Sequence, residues 1–265
     1  MVNPVKIITL LTDFGTKDPY VAVMKGVIYR IVPDVIIVDI THEIQPGNIQ
    51  QGSFVLSWVY AYFPPGTIHL AVVDPGVGTS RHGLIVQTEN AFFVLPDNGL
   101  ISEVIRRVPP VEIICLTEKQ FWLNPVSNTF HGRDIFAPVA AHLASGVPPS
   151  MMGIQFQDIT LLPSFLPGAN PDGSIEGKVV YIDRFGNCIT NIHRDLIAAR
   201  EEVTVDVCGR VIDHIVTTYG DAKKGELIAL IGSGEYLEIA TKDGNASLLF
   251  NISAGDKVVV RVNRR

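Results

Sequence analysis

The feature that most restricts this chain is a change of rhythm near its middle. Up to about residue 145, short apolar runs alternate with segments of helical period; beyond about residue 174 only short β-type runs remain. Alternation of strands and helices builds a layered α/β domain, and its loss points to an all-β one. Strands are expected at 5–12 (VKIITLLT), 35–41 (VIIVDIT), 68–74 (IHLAVVD), 83–89 (GLIVQTE), 91–97 (AFFVLPD) and 111–117 (VEIICLT). Val21, Met24, Val27, Ile28 and Ile31 recur at helical spacing, with Asp18-Pro19 as N-cap and first helical residue and Pro33 as the stop. Asn48 caps a second helix to about Phe63, with Gln51 at the capping-box position, and further helices are expected at about 99–107 and 132–145.

These elements predict an N-terminal α/β domain over 1–150 with a largely parallel sheet. Five prolines in 146–173 mark a connector, taken as a linker over 151–173. Residues 174–265 then form a smaller all-β, barrel-like domain from EGKVVYID, CITNI, EVTVDVCG, ELIALI, YLEIAT, ASLLFN and DKVVVRV.

With a net charge of −6, the chain has no general electrostatic reason to hold nucleic acid or an anionic membrane. No apolar run approaches the ~20 residues of a membrane span, and the first residues lack a signal-peptide cleavage region. The three cysteines, Cys115, Cys188 and Cys208, form no CxxC pair and read as buried, inert thiols in a reducing compartment. A soluble cytoplasmic protein is expected.

Ligands of open α/β sheets bind beyond the carboxyl ends of the strands, and Asp13, His42 and Asp74 fall there. Asp13 is either a turn-former in TDFG or a carboxylate for the two hydroxyls of a ribose; His42 reads as structural. The stretch 72-VVDPGVGTSRHG-83 is no phosphate loop: it matches neither GxGxxG nor GxxxxGK[ST], and the acid ending its strand would repel phosphate. What matters is what Asp74 and Arg81 face. The candidate partner is 129-TFHGRDIFAP-138, with His131, Arg133 and Asp134: His131, at a helix entrance, is either an exposed, firmly held group or a capping residue, and Arg133-Asp134 is either part of this site or a surface ion pair. No zinc spacing and no GxSxG occur. In 181-YIDRFGNCITNI-192, Asp183 suits an ammonium group, and the Asn187 amide, both donor and acceptor, suits an adenine edge; a plain tight turn explains the same residues. IGSGEYLEIA adds a Gly/Ser loop before a strand.

Taken together, LLTDFGTKDPYVAVMKG, VVDPGVGTSR, LPDNGL, NTFHGRD, IDRFGNCITNIH and the NAS of GNASLLF resemble the S-adenosyl-L-methionine hydroxide adenosyltransferases, relatives of the fluorinases and chlorinases. The resemblance implies hydrolysis of S-adenosyl-L-methionine to adenosine and L-methionine by water attacking the ribose C5′, with no cofactor. It also implies a homotrimer with substrate between the N-terminal domain of one subunit and the C-terminal domain of its neighbour. The family's water-activating side chains carry over onto Asp74, Arg81 and His131, with either Asp74 or His131 as the base. Asp13 matches the ribose ligand, Asp183 and Ser233 the amino and carboxylate ends of methionine, Asn187 an adenine contact, Phe130 and Phe185 apolar walls, and the backbone at Ala246 the adenine. Halogenating relatives differ: they carry Tyr at Asp74, Ser at Gly132, an insertion at the Glu89-Asn90 turn and an Arg at Gly234. Water is therefore the expected nucleophile, against the alternatives of a halogenase or a non-catalytic binding module.

Overall fold

The computed structural model describes residues 6–197 and 203–262; Val5 and Glu202, expected in strands, lie outside the described residues. The chain forms two compact units, Met1–Pro163 and Ser164–Arg265.

The first unit is a seven-stranded sheet among the described residues, in the order β2-β1-β3-β5-β4-β6-β7. Its strands are β1 (Ile7–Thr12), β2 (Ile36–Thr41), β3 (Thr67–Val72), β4 (Gly83–Gln87), β5 (Ala91–Pro96), β6 (Glu112–Leu116) and β7 (Gly153–Gln155). Helices α1 (Tyr20–Ile31), α2 (Ile49–Val59), α3 (Ser102–Ile105) and α4 (Ala137–Ala144) accompany it. Ile8, Leu10, Leu70 and Val94 share one buried cluster with Met24 and Ile28 of α1 and with Val139 and Ala140 of α4. On α2, a Cβ at Gly52 would lie 2.8 Å from Leu100 Cδ1 and 3.1 Å from Val73 Cγ2, so a larger residue there displaces a core side chain. Strands covered on both faces read as continuous apolar runs, as IITLLT does.

The expected largely parallel sheet is corrected to a mixed one. Pairs β1-β2, β1-β3 and β3-β5 are parallel, whereas β4-β5, β4-β6 and β6-β7 are antiparallel. The cause is the tight turn closed by Thr88 N–H to Ala91 O, which sends β5 back along β4. Two caps also differ. Pro19, not Asp18, stands at the N-cap of α1, with no side-chain cap. Asn48 does cap α2 by accepting from Gln51 N–H at 2.9 Å, but the Gln51 side chain takes the Gln45 N–H at 2.7 Å instead of closing a capping box.

The second unit comprises β8 (Gly168–Ala169), β9 (Ile175–Ile182), β10 (Cys188–His193), β11 (Val203–Val207), β12 (Arg210–Ile212), β13 (Ile215–Val216), β14 (Leu227–Ile231), β15 (Tyr236–Thr241) and β16 (Lys257–Val262). They follow the order β12-β11-β16-β9-β10-β15-β14-β13, with β8 on β9. The path's ends return to each other, β11 to β13 and β12 to β14, so the sheet rolls toward a barrel around Val179, Val205, Leu237, Ile239 and Val258. The run ASLLFN is not a strand: Asn245 accepts Leu248 N–H at 2.8 Å and starts α5 (Ala246–Phe250), which ends at left-handed Asn251. Cys115 and Cys188 are buried, and burial pushes the Cys188 thiol up to about 12. Cys208 is exposed, against expectation, because Cys208-Gly209 is the two-residue turn between β11 and β12, both residues at positive φ.

One buried base gives the first unit an acid sensitivity. His69 on β3 is fully buried, bonded to Thr9 Oγ1 at 2.8 Å and stacked on Phe93, and burial lowers its pKa to about 4. Above the unfolded value of 6.5 it contributes no pH dependence; as pH falls from 6.5 toward 4 the unfolded chain takes up a proton that the folded one refuses. Denaturant titrations at successive pH values should show a loss of about 3 kcal/mol across this window. His69→Gln should abolish that component.

Candidate active site

Asp13 follows β1 and Asp74 follows β3, at the carboxyl edge of the parallel strands, and His131 opens the segment leading into α4. Between Asp74 and Arg81 the chain makes consecutive turns closed by Val77 N–H to Asp74 O and Thr79 N–H to Gly76 O, each 3.2 Å. Gly78, at φ +79°, brings its backbone so close to the Asn128 carbonyl that a side chain there would overlap it. The loop thereby lies beside the segment that carries His131.

Arg81 is the hub. Its Nε donates to Asp74 Oδ1 at 2.9 Å and Oδ2 at 3.0 Å, and Nη2 makes a short bond to Oδ2. The same Nη2 donates to His131 Nδ1 at 2.8 Å. The guanidinium lies over the Phe136 ring, 5.2 Å from its centroid. Both partners are nearly sealed: the Asp74 side chain is 4% exposed and that of Arg81 10%. A guanidinium only donates, so His131 Nδ1 is an acceptor and the imidazole is neutral. Burial, then the neighbouring Arg81 charge, hold the His131 pKa below its ordinary value, with Asp74, Asp134 and the Ser127 backbone opposing. A cleft of about 540 Å³ reaches Arg81 and His131 past Lys119, Trp122, Asn124 and Asn128.

Residues 132–136 explain how one segment supplies both contacts of Arg81. Gly132–Phe136 is a π-helical turn, closed by Ala137 N–H to Gly132 O, before α4 begins. The wider i→i+5 winding turns His131 and Phe136, five residues apart, toward the same guanidinium. At Gly132 a Cβ would stand 3.2 Å from Phe130 Cε2 and 3.3 Å from Met24 Sδ, so a larger residue displaces one of them.

Asp13 Oδ2 accepts Gly47 N–H at 2.7 Å. His42 is buried, with Nδ1 2.8 Å from Thr12 Oγ1, and its carbonyl takes Gly15 N–H at 2.7 Å, in keeping with a structural role under the Asp13 loop. Phe130 packs edge-on with Phe14 and Tyr20, at 5.7 and 5.3 Å between centroids.

In the second unit, Asp183, Phe185 and Asn187 share the β9–β10 hairpin. Asp183 Oδ1 accepts the N–H groups of Phe185 and Asn187 at 2.8 and 2.9 Å, and Oδ2 accepts Asn187 Nδ2 at 3.0 Å. Phe185 is exposed. Ser247 N–H donates to Gly186 O at 3.0 Å, which ties Ala246, buried at the start of α5, to this hairpin. Ser233 is exposed in the β14–β15 turn.

Sequence reasoning passed over several buried acids, Glu238 and Asp134 among them. Glu238 on β15 accepts from Tyr219 Oη at 2.5 Å; burial raises its pKa, the Tyr219 bond opposes, and the Asp183 charge adds to the rise. Its signal was an acid inside YLEIAT, a strand buried at every position. Asp134 is no surface pair: its side chain is 1% exposed. Among the described residues no group of three or more His, Cys, Asp or Glu is arranged to hold a metal ion, and no helix is long and apolar enough to cross a membrane.

Comparison with known proteins gives this geometry its setting. The family model for the SAM hydroxide adenosyltransferase N-terminal domain matches residues 8–153, and that for the C-terminal domain matches 177–259. A protein from Salinispora tropica named (R)-S-adenosyl-L-methionine hydrolase is 35% identical over 260 residues, covering 97% of this chain and 98% of its own. A protein from Actinopolyspora mzabensis named fluorinase is 27% identical over 292 residues, covering 97% of each. The crystal structure of an uncharacterized conserved protein from Thermotoga maritima superposes with a TM-score of 0.90 at 38% identity, over 96% of this chain and 99% of that one. The chain belongs to the SAM hydroxide adenosyltransferase family.

Proposed function

We propose that this enzyme hydrolyses S-adenosyl-L-methionine to adenosine and L-methionine, with water attacking the ribose C5′. The observation that carries the reading is the contact of Arg81 with both Asp74 and His131, the Arg81 and Asp74 side chains being nearly buried beside an open cleft. The water oxygen bonds to C5′ as the C5′–S bond breaks, and the electron pair leaves with sulfur as a neutral thioether. The leaving group needs no acid, so the site's task is to make a nucleophile from water, whose pKa is about 15.7.

Arg81 has five N–H donors. Nε and Nη2 use three on Asp74 and His131, and Nη1 places one on the His82 carbonyl at 3.4 Å. One Nη1 hydrogen is left to hold a water and stabilise developing hydroxide. His131 Nδ1 already spends its lone pair on Arg81, whereas the Asp74 carboxylate keeps acceptor capacity. Asp74 is therefore the proton acceptor, and neutral His131 fixes the guanidinium. Protonating His131 removes that bond and sets two cations together. The kcat profile should fall on an acid limb below pH 6.5, because the His131 pKa is lowered from that value. His131→Ala should flatten the limb and, by freeing the guanidinium, lower kcat about 10- to 100-fold.

For the substrate we propose Asp13 on the ribose hydroxyls, Phe130 and Phe185 as apolar walls, Asp183 and Ser233 on the methionine ends, and Asn187 with the Ala246 backbone on adenine. A homotrimer with sites between subunits, a cytoplasmic setting and a reaction without cofactor complete the proposal. The name of the Salinispora relative specifies the R configuration, and the same preference is proposed here. Halide is disfavoured because this chain has Asp74 and Gly132 where halogenating relatives have Tyr and Ser, and turns tightly at Glu89-Asn90 where they carry an insertion.

The test is purified protein with each sulfonium epimer in ¹⁸O-labelled water, products read by mass spectrometry. Label in the adenosine 5′-hydroxyl, with unlabelled methionine, is the expected outcome. No adenosine above an enzyme-free control would remove the hydrolase reading.

A further inference from the structure

Asp134 sits in the same π-helical turn that follows His131, yet its carboxylate has other partners. Oδ2 accepts Ser127 N–H at 2.8 Å and Arg133 Nη2 at 2.9 Å, and Oδ1 accepts Arg133 Nε at 2.5 Å. Its backbone carbonyl takes Leu123 N–H at 2.8 Å. Each side-chain partner leads to a residue of the site. The Ser127 backbone faces His131 and favours its protonated form, and Ser127 Oγ accepts Phe130 N–H at 3.1 Å. The Arg133 guanidinium covers the Phe130 ring at 5.3 Å.

A carboxylate this deeply buried is costly unless its lone pairs are filled. Here they are filled by a loop N–H and by a side chain that is itself 35% exposed, groups that solvent would satisfy equally well elsewhere. The carboxylate therefore constrains its partners more than they need it. We propose that Asp134 is the positioning carboxylate of this active site, fixing the 127–131 segment that carries His131 through Ser127 and the Phe130 ring through Arg133. Its geometry stands apart from the hydrolase reading, whereas its kinetic consequences rest on it.

The experiment compares Asp134→Asn and Arg133→Ala with the parent enzyme, by steady-state kinetics and by ¹⁵N NMR titration of His131. Asparagine keeps the volume but offers one acceptor atom in place of two and no charge. The charged and titratable groups around His131 are Arg81, Asp74 and Asp134, with Lys119 and His82 lining the same cleft. Asp134 is one that favours imidazolium, so its neutralisation should move the His131 midpoint down, and with it the acid limb of kcat. Asp134→Asn should also lower kcat about 10- to 100-fold. Arg133→Ala should raise KM several-fold and, because it strips two of the three bonds on the Asp134 carboxylate, should lower kcat as well. Wild-type kcat per folded molecule with an unmoved midpoint in Asp134→Asn would overturn the proposal, and an unchanged KM in Arg133→Ala would overturn its Phe130 arm. Should Asp134→Asn not fold, Asp134→Glu takes its place: restored charge should recover the midpoint while the longer arm leaves kcat low, and full recovery of kcat would count against positioning. A parent enzyme that forms no adenosine would defeat the hydrolase reading, while the titration would still decide the role of Asp134.

Discussion

Arg81→Ala is expected to lower kcat by about 10³-fold while the Kd for S-adenosyl-L-methionine changes by less than about threefold. Removing one preorganised donor to a developing oxyanion costs about 2.7–4 kcal/mol in the transition state, a factor of roughly 10²–10³. Arg81 also holds both other members of the set, so its removal frees His131 Nδ1 and leaves Asp74 with its carboxylate buried and unpaired. Stripping one partner from a buried ion pair costs about 3–5 kcal/mol of stability, so the melting temperature should fall too. Arg81→Lys should rescue little, because a single ammonium on a flexible stem cannot reproduce the fork that meets Asp74 and His131 together. Single-turnover kinetics with calorimetry separates the effects: a slow chemical step with near-native affinity supports the assignment, and unchanged turnover removes Arg81 from the chemistry.

Gly186→Ala should produce the largest binding defect of any change outside the Asp74, Arg81 and His131 set. Gly186 sits at φ +85° in the Asp183–Asn187 turn, and a Cβ there would run into the Asn245 side chain. The left-handed conformation alone costs about 1 kcal/mol for a residue with a Cβ, and overpacking adds roughly 1–3 kcal/mol. Asn245 cannot simply step aside, because its Oδ1 caps α5 through Leu248 N–H and the hairpin is tied to the same helix by Ser247 N–H on Gly186 O. The hairpin must shift, carrying Asp183, Phe185 and Asn187 with it. KM should rise about tenfold or more, equivalent to 1.4 kcal/mol of binding. Saturated kcat should stay within a few-fold, since Asp74, Arg81 and His131 belong to the other unit. A near-native KM, with a lowered melting temperature as proof that the strain is real, would take the hairpin out of substrate recognition.

Much of the architecture was legible because burial writes its period into the chain. IITLLT and the Val21–Ile31 spacing announced β1 and α1, and each appears where expected. Strand direction was not legible: an apolar run such as GLIVQTE is the same whichever way its neighbour points, and a three-residue turn decided it. ASLLFN failed for a related reason, since five apolar-rich residues suit a strand or one helical turn and the capping Asn245 broke the tie. At the site, Asp74 and Arg81 were visible as a local pair; His131 lies fifty positions further on, so the sequence offered it only as a candidate partner, and the resemblance of several motifs made the set of three. Asp134 was hidden by its neighbour: an Arg-Asp pair reads as solvated surface until the carboxylate is found inside.

The π-helical turn at Gly132–Phe136 makes this site sensitive to chain length as well as to residue identity. Deleting one residue there would let the segment relax into ordinary helix, and everything on its N-terminal side would swing by about 100° relative to α4. His131 and Phe136 would no longer face one guanidinium, though every side chain of the set survived. Deleting the codon for Ile135 is thus a way to dismantle the catalytic arrangement while Asp74, Arg81, His131 and Phe136 all remain.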